Sequence, residues 1–269
     1  MAHVVVPEAE ALLDKEFKVL DKGFLRLVDY FGGDGRIVES ARVSYGKGTR
    51  TVREDRGLIH YLMRNAHTSP FEQVVLTMHA KMPIFVARQW IRHRTARVNE
   101  ISGRYSVMRS EFYLPDAEAI RRQSQTNKQG RSDEEVPEVL KGRVLEILTR
   151  GQESAYREYE EMVSGDVARE LARIHLPLSL YTEWYWQIDL HNLFHFLRLR
   201  LDPHAQMEIR VYARIMLDFA RAIAPVAVEA FEEYVLGSVR LSKEEAGWIR
   251  ERLSGEEGVP RAISAKLGL

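Results

Sequence analysis

From Phe24 to Phe31 (FLRLVDYF) apolar and polar side chains alternate over a β-prone run, which predicts a strand, and Gly32-Gly33-Asp34 turns the chain into a helix over 36–45. Thr51, with Glu54 three positions later, reads as a helix cap. Leu58, Leu62 and Met63 then share one face to about Asn65. Pro70 disfavours helix for Ser69 and predicts a turn over 67–72 before a strand at 74–82. Pro83 suits the first turn of a helix running through Val86 and Trp90 to residue 92. Residues 103–113 read as extended, and 123–137 are polar, charged and turn-rich, which predicts a surface loop or lid. Helical periodicity returns at 139–162 and 167–175, an aromatic strand follows at 180–189, and a helix at 190–200. A long amphipathic helix over 206–236, bent at Pro225, and a last helix capped by Ser242 and ending near Ser254 complete the chain.

Strands and helices do not alternate as βαβ units, no repeat is visible, and no linker divides the 269 residues. The expectation is a single α/β domain of α+β type over 1–269, a mainly antiparallel sheet flanked by helices with long helices at the C-terminal end. Formal net charge is zero, so a basic site has to be local and bulk charge gives no reason to expect nucleic acid or a membrane surface as partner. No apolar run approaches the ~20 residues that cross a bilayer, and residues 1–18 lack a signal-peptide core, so a cytoplasmic protein is expected. Cysteine is absent, which removes thiolate nucleophiles and thiolate metal sites.

One stretch carries most of the chemistry. Arg92, His93, Arg94, Arg97 and Arg104 place four guanidinium groups and an imidazole within thirteen residues, interleaved with Glu100, Ser102 and Gly103. Forked guanidinium donors match phosphate oxygens two at a time, and backbone N–H groups around Gly103 can extend such a cradle. Glu100 adds an acceptor for a ribose hydroxyl or a ring N–H. Ser102 is a poor nucleophile with only arginines beside it, so a ligand contact suits it better. Gln89 lies about one turn before Arg92 and His93, and serves equally well as a ligand contact or as a buried hydrogen-bonded amide.

The Arg92-His93-Arg94 triplet with Ser102 eight positions after its last arginine resembles the signature of the flavin-dependent thymidylate synthases. His67-Thr68-Ser69-Pro70-Phe71-Glu72 is similar to a second motif of that family. The run from Arg173 through Leu176-Pro177 and the aromatic strand to Leu199-Arg200, with His204 beyond, resembles its second half. The likeness spans about 24–236. It implies conversion of dUMP to dTMP with methylenetetrahydrofolate as carbon donor and NADPH as reductant through FAD, in a homotetramer with sites at subunit interfaces. It also implies that Gln89, Arg92, Glu100, Ser102, Gly103, Arg104, Arg173 and Arg200 contact dUMP, with Arg200 polarising the pyrimidine. Ser69, Arg92, His93, Arg94, Glu100, Asp189, His191 and His195 would then contact FAD, with His67 and His204 near flavin or folate. The sequence departs from the family at Arg97, often a small hydroxyl residue, and at Asp189 and His191, often Asn and Arg.

Two other readings compete. His191 and His195, four apart on a helix, could share a metal with Asp202 or His204 in a hydrolase, although Asn192 stands where a zinc-protease helix would need a carboxylate. The arginine cluster could instead hold nucleic acid, although acids are interspersed and no helix-turn-helix or RNA-binding signature accompanies it. Neither a Gly-x-Gly-x-x-Gly turn nor a P-loop is present.

Overall fold

The structure is a computed structural model that describes residues 5–43, 52–254, 259–260 and 263. In chain order these form α1 (Pro7–Glu10), β1 (Glu16–Val19), β2 (Gly23–Phe31), α2 (Asp34–Arg42), α3 (Val52–Arg64), β3 (Val75–Pro83), α4 (Ile84–Trp90) and β4 (Arg97–Glu100). There follow β5 (Arg121–Gln123), β6 (Arg131–Glu135), α5 (Glu138–Ser164), α6 (Arg169–Ala172), β7 (Tyr181–Asp189), α7 (Leu190–Arg200), α8 (Met207–Ile223), α9 (Pro225–Phe231) and α10 (Lys243–Leu253).

Five strands make one antiparallel sheet in the order β1-β2-β3-β7-β4, as the expected α+β architecture requires. Period-two patterning explains its buried face: Leu76, Met78, Ala80 and Met82 on β3 and Trp184, Trp186 and Ile188 on β7 are all buried. In β2 the inward positions switch from Leu25 and Leu27 to Tyr30, and the register shift between Leu27 and Asp29 performs the switch. Against this face pack α4, α7 and α8. Trp90 meets Trp184 and Trp186 edge-on, each at 5.3 Å between ring centroids, and Trp186 meets Phe196 at 5.4 Å. Truncating a fully buried aromatic of this kind costs about 3–5 kcal/mol.

Several boundaries differ from expectation. The long C-terminal helix breaks rather than bends: α8 ends at Ile223, Ala224 is non-helical, and Asp34 accepts hydrogen bonds from the N–H groups of Val226 and Ala227 to start α9. The expected helix at 167–175 is only the short α6 followed by a 3-10 turn over Arg173–His175. Segment 123–137 is not an irregular loop but lies largely in the β5–β6 hairpin. Residues 103–113 are not extended throughout: a turn closes over 102–106, and only Phe112 bridges to Leu180. The Ser242 cap is present and forms a complete capping box with Glu245. Positions 44–45 of the expected second helix, and the Thr51 cap, lie outside the described residues.

Candidate active site

The α4 helix stops at Trp90, before the arginine triplet, because His93 folds back under it: its N–H donates to the Trp90 carbonyl at 3.0 Å. His93 is buried, with its ring 4.8 Å from Phe196 and 5.8 Å from His195, while Arg92 and Arg94 on either side point to solvent. Neither arginine has an ion pair among the described residues. The triplet thus puts one ring inside and two cations outside.

Arg200, at the end of α7, closes onto the same spot. Its Nε donates to His93 Nε2 at 3.1 Å and its Nη2 to the Gln89 carbonyl at 3.3 Å. An arginine only donates, so the proton of His93 sits on Nδ1. Burial, the Arg200 charge and His195 together hold His93 down to about 4, so the ring is neutral near pH 7. The Gln89 amide donates to the Gln206 side-chain oxygen. Around these groups lies an open cavity of about 550 Å³ that also includes Gln129, Asp202 and His204. His204 is itself engaged, its ring and backbone N–H both 2.8 Å from Asp202 Oδ1.

The other predicted residues fall elsewhere on the protomer. The β4 strand pairs with β7 and puts Glu100 beside Thr182, whose hydroxyl donates to Glu100 Oε1 at 2.5 Å, in a cavity of about 310 Å³ with Asn99, Lys81 and Arg109. Gly103 is buried because a Cβ there would lie 3.1 Å from Met108 Sδ and 3.2 Å from Arg173 Cδ, so this glycine lets the Arg173 stem lie against the backbone. Ser102 Oγ accepts from the Arg104 N–H at 3.3 Å, and Arg104 Nε is 3.0 Å from Glu170. Asp189 caps α7, accepting from Asn192 N at 2.9 Å and Asn192 Nδ2 at 2.7 Å, which occupies the side chain expected to contact flavin.

His191 and His195 line a third cavity of about 250 Å³, floored by Leu62, Phe71, Phe194 and Phe231 and edged by Thr68, Arg198 and Arg240. Burial first, then the Arg198 and His191 charges, lower the His195 pKa. His67 and Ser69, on the turn that leads to β3, are exposed beside this cavity's Thr68. Arg198 and Arg240 have no carboxylate partner among the described residues. An apolar floor edged by arginines and imidazoles fits a planar ring carrying phosphate, and so fits FAD. Sequence reasoning missed Arg198, although it stands three residues after His195 and seven after His191 on one helical face. Gln206 lies in the His204-Ala205-Gln206 run that resembles the family, whereas no local signal marks Arg240 or Gln129. No group of three or more potential metal ligands occurs among the described residues, so the histidines give the hydrolase reading no support. No helix among them is long and apolar enough to cross a membrane.

This is an antiparallel α+β scaffold that gathers arginines and histidines, without a thiol, around open cavities: the layout of a nucleotide-handling enzyme. The family model described as "Thymidylate synthase complementing protein" matches residues 26–226. A protein of Treponema denticola named flavin-dependent thymidylate synthase is 61% identical over 245 residues, covering 91% of this chain and 92% of its own. One of the same name from Rickettsia prowazekii is 52% identical over 267 residues, covering 95% and 91%. A solved structure, the UMP/dUMP methylase PolB of Streptomyces cacaoi bound with 5-Br dUMP, is similar at a TM-score of 0.74 and 33% identity, covering 83% of this chain and all of that one. The chain belongs to the flavin-dependent thymidylate synthase family.

Proposed function

We propose that this protein methylates dUMP reductively to dTMP, taking the one-carbon unit from methylenetetrahydrofolate and reducing equivalents from NADPH through FAD. The observation that carries the reading is the Arg200 guanidinium, half-buried and aimed by a neutral imidazole and a backbone carbonyl into an open cavity. FAD, when bound, supplies hydride for a pyrimidine that no cysteine of this chain could activate.

Hydride addition at C6 of uracil places negative charge on C5, C4 and O4. A fixed cation at that edge stabilises charge as it develops, which is Arg200's role and is worth about 3–4 kcal/mol. Because His93 stays uncharged, it orients Arg200 without repelling it. Arg92, Arg104 and Arg173, with Ser102 and the backbone at Gly103, hold the dUMP phosphate, and Gln89 and Glu100 orient the sugar and ring. Glu170 releases Arg104 as phosphate arrives, an exchange of one exposed carboxylate for a doubly charged anion. Arg94, His191 and His195 hold the flavin nucleotide with Ser69, joined by Arg198 and Arg240, and His67 and His204 stand near flavin or folate.

These groups lie at separate places on one protomer, so a working site needs them brought together by a second copy. We therefore place the sites at interfaces of a homotetramer. Exposed Val139, Leu140 and Ile147 on α5, with Ile174 and Leu178 nearby in sequence, supply apolar surface for such contacts. The cytoplasm, where dUMP and reduced folate are made, is the proposed compartment.

The absorbance spectrum of the purified protein, followed by anaerobic reduction and dUMP-dependent reoxidation with methylenetetrahydrofolate, tests the reading. A flavin spectrum and dTMP in the product are expected. A colourless protein that takes up no added FAD and forms no dTMP refutes it.

A further inference from the structure

The β5–β6 hairpin is a short ribbon with little apolar content, exposed along most of its length. Two features keep it in one place. Beside the turn, Arg131, the first residue of β6, pairs with Glu208 on α8, whose carboxylate is 1% exposed and also accepts from the Tyr113 hydroxyl at 3.0 Å. At its tip, Ser124 N donates to the Gly130 carbonyl at 3.0 Å, Gly130 N to the Asn127 carbonyl at 2.9 Å, and Asn127 N to Ser124 Oγ at 3.0 Å. The Gln123 amide closes the same turn by donating to the carbonyls of Lys128 and Gly130, each at 3.0 Å. A surface turn this heavily bonded is built to hold a shape.

That shape delivers one side chain. Gln129 lies on the wall of the Arg200 cavity, and its carboxamide makes no hydrogen bond among the described residues. Two other carboxamides share that cavity. The bond from Gln89 to Gln206 leaves the Gln89 side-chain oxygen as acceptor and the Gln206 amide as donor. Three carboxamides and one guanidinium offer donors and acceptors side by side with no added negative charge except Asp202, which His204 already engages. This set complements a ring edge that alternates C=O and N–H, because a carboxamide donates to the carbonyl and accepts from the N–H at once.

We infer that Gln129, held by the β5–β6 hairpin, is a specificity-determining residue that hydrogen-bonds the lactam or imide edge of a substrate heterocycle in the Arg200 cavity. Two substrates of the proposed reaction carry such an edge, the pyrimidine of dUMP and the pterin of the folate, so the inference rests on that reading. It goes beyond it in giving a recognition role to a segment outside the arginine and histidine motifs.

The test uses holoenzyme and four proteins: wild type, Gln129→Ala, Gln129→Glu, and a variant with residues 124–130 replaced by an Asn-Gly turn. A two-residue turn of this type closes a hairpin while leaving the Arg131–Glu208 anchor in place. Calorimetric titrations with dUMP and with methylenetetrahydrofolate, steady-state KM and kcat, flavin content and Tm are measured for each. Removing one neutral hydrogen bond should weaken one substrate by about 3- to 10-fold in Kd and KM, with kcat, flavin content and Tm near wild type. The loss should be larger in Gln129→Glu, whose carboxylate cannot donate, and should recur in the Asn-Gly variant. Weakening confined to dUMP assigns the pyrimidine, and weakening confined to the folate assigns the pterin. Unchanged affinity for both substrates overturns the inference, as does a variant that loses only flavin or only Tm. A wild-type protein that neither binds dUMP nor makes dTMP sinks the proposed function instead, and is recognised by that failure before any variant is compared.

Discussion

A buried neutral histidine beside a guanidinium makes the fold sensitive to mild acid in a window that can be worked out. The folded His93 has its pKa lowered from 6.5 to about 4 by burial, Arg200 and His195. Between those values the unfolded chain binds a proton that the folded chain refuses, so stability rises with pH there and is lost as pH falls through about 6.5 toward 4. For one such group the loss is roughly 1 kcal/mol near pH 5.5 and about 2–3 kcal/mol near pH 4.5, relative to neutral pH. Denaturant unfolding at fixed protein concentration, run on wild type and on His93→Gln at several pH values, isolates the term. The variant's amide keeps an acceptor for Arg200 but cannot titrate, so it should be less stable at pH 8 and decline less between about 6.5 and 4.5. Curves that stay parallel through this window would show that His93 is not held neutral, and the account of Arg200's orientation would go with it.

Arg200→Ala should keep the flavin spectrum while lowering dTMP formation about 10²- to 10³-fold, measured by product assay; wild-type turnover refutes the assignment. Gly103→Ala inserts a methyl group 3.1 Å from Met108 Sδ and 3.2 Å from Arg173 Cδ, so it should displace Arg173 and raise KM for dUMP more than it lowers kcat. Unchanged KM would mean that this close approach has no bearing on substrate. Gly32 has φ +86° and a carbonyl 3.0 Å from where a Cβ would sit, so Gly32→Ala should cost about 1–3 kcal/mol by thermal unfolding while the catalytic constants of the folded fraction stay the same.

Much of the scaffold is legible because burial and periodicity coincide there. The strands expected at 24–31, 74–82 and 180–189 differ from β2, β3 and β7 by one residue or less at each end, and α7 is as expected over 190–200. β1 and β4 are not legible. Every residue of β4 is exposed and its composition, Arg-Val-Asn-Glu, gives no apolar alternation, so only pairing with β7 makes it a strand. The β5–β6 hairpin hides for a related reason: its anchor is an ion pair between positions 77 apart, which no local pattern records. In the site, the motifs name the reactive side chains but not their orientation. Nothing local says that His93 turns inward while its neighbours face water, because Phe196 and Arg200, over a hundred residues away, decide it.

The three core tryptophans have a further consequence. Trp90, Trp184 and Trp186 are buried with indole N–H groups that have no acceptor among the described residues, and the Trp90 ring meets the other two at 89° and 81°. Indoles so shielded emit at short wavelength, whereas the fourth, Trp248, is 59% exposed on α10 and emits as in water. The protein therefore carries two optical reporters of different colour. One registers collapse of the sheet interior, and the other answers to quenchers at the far end of the chain.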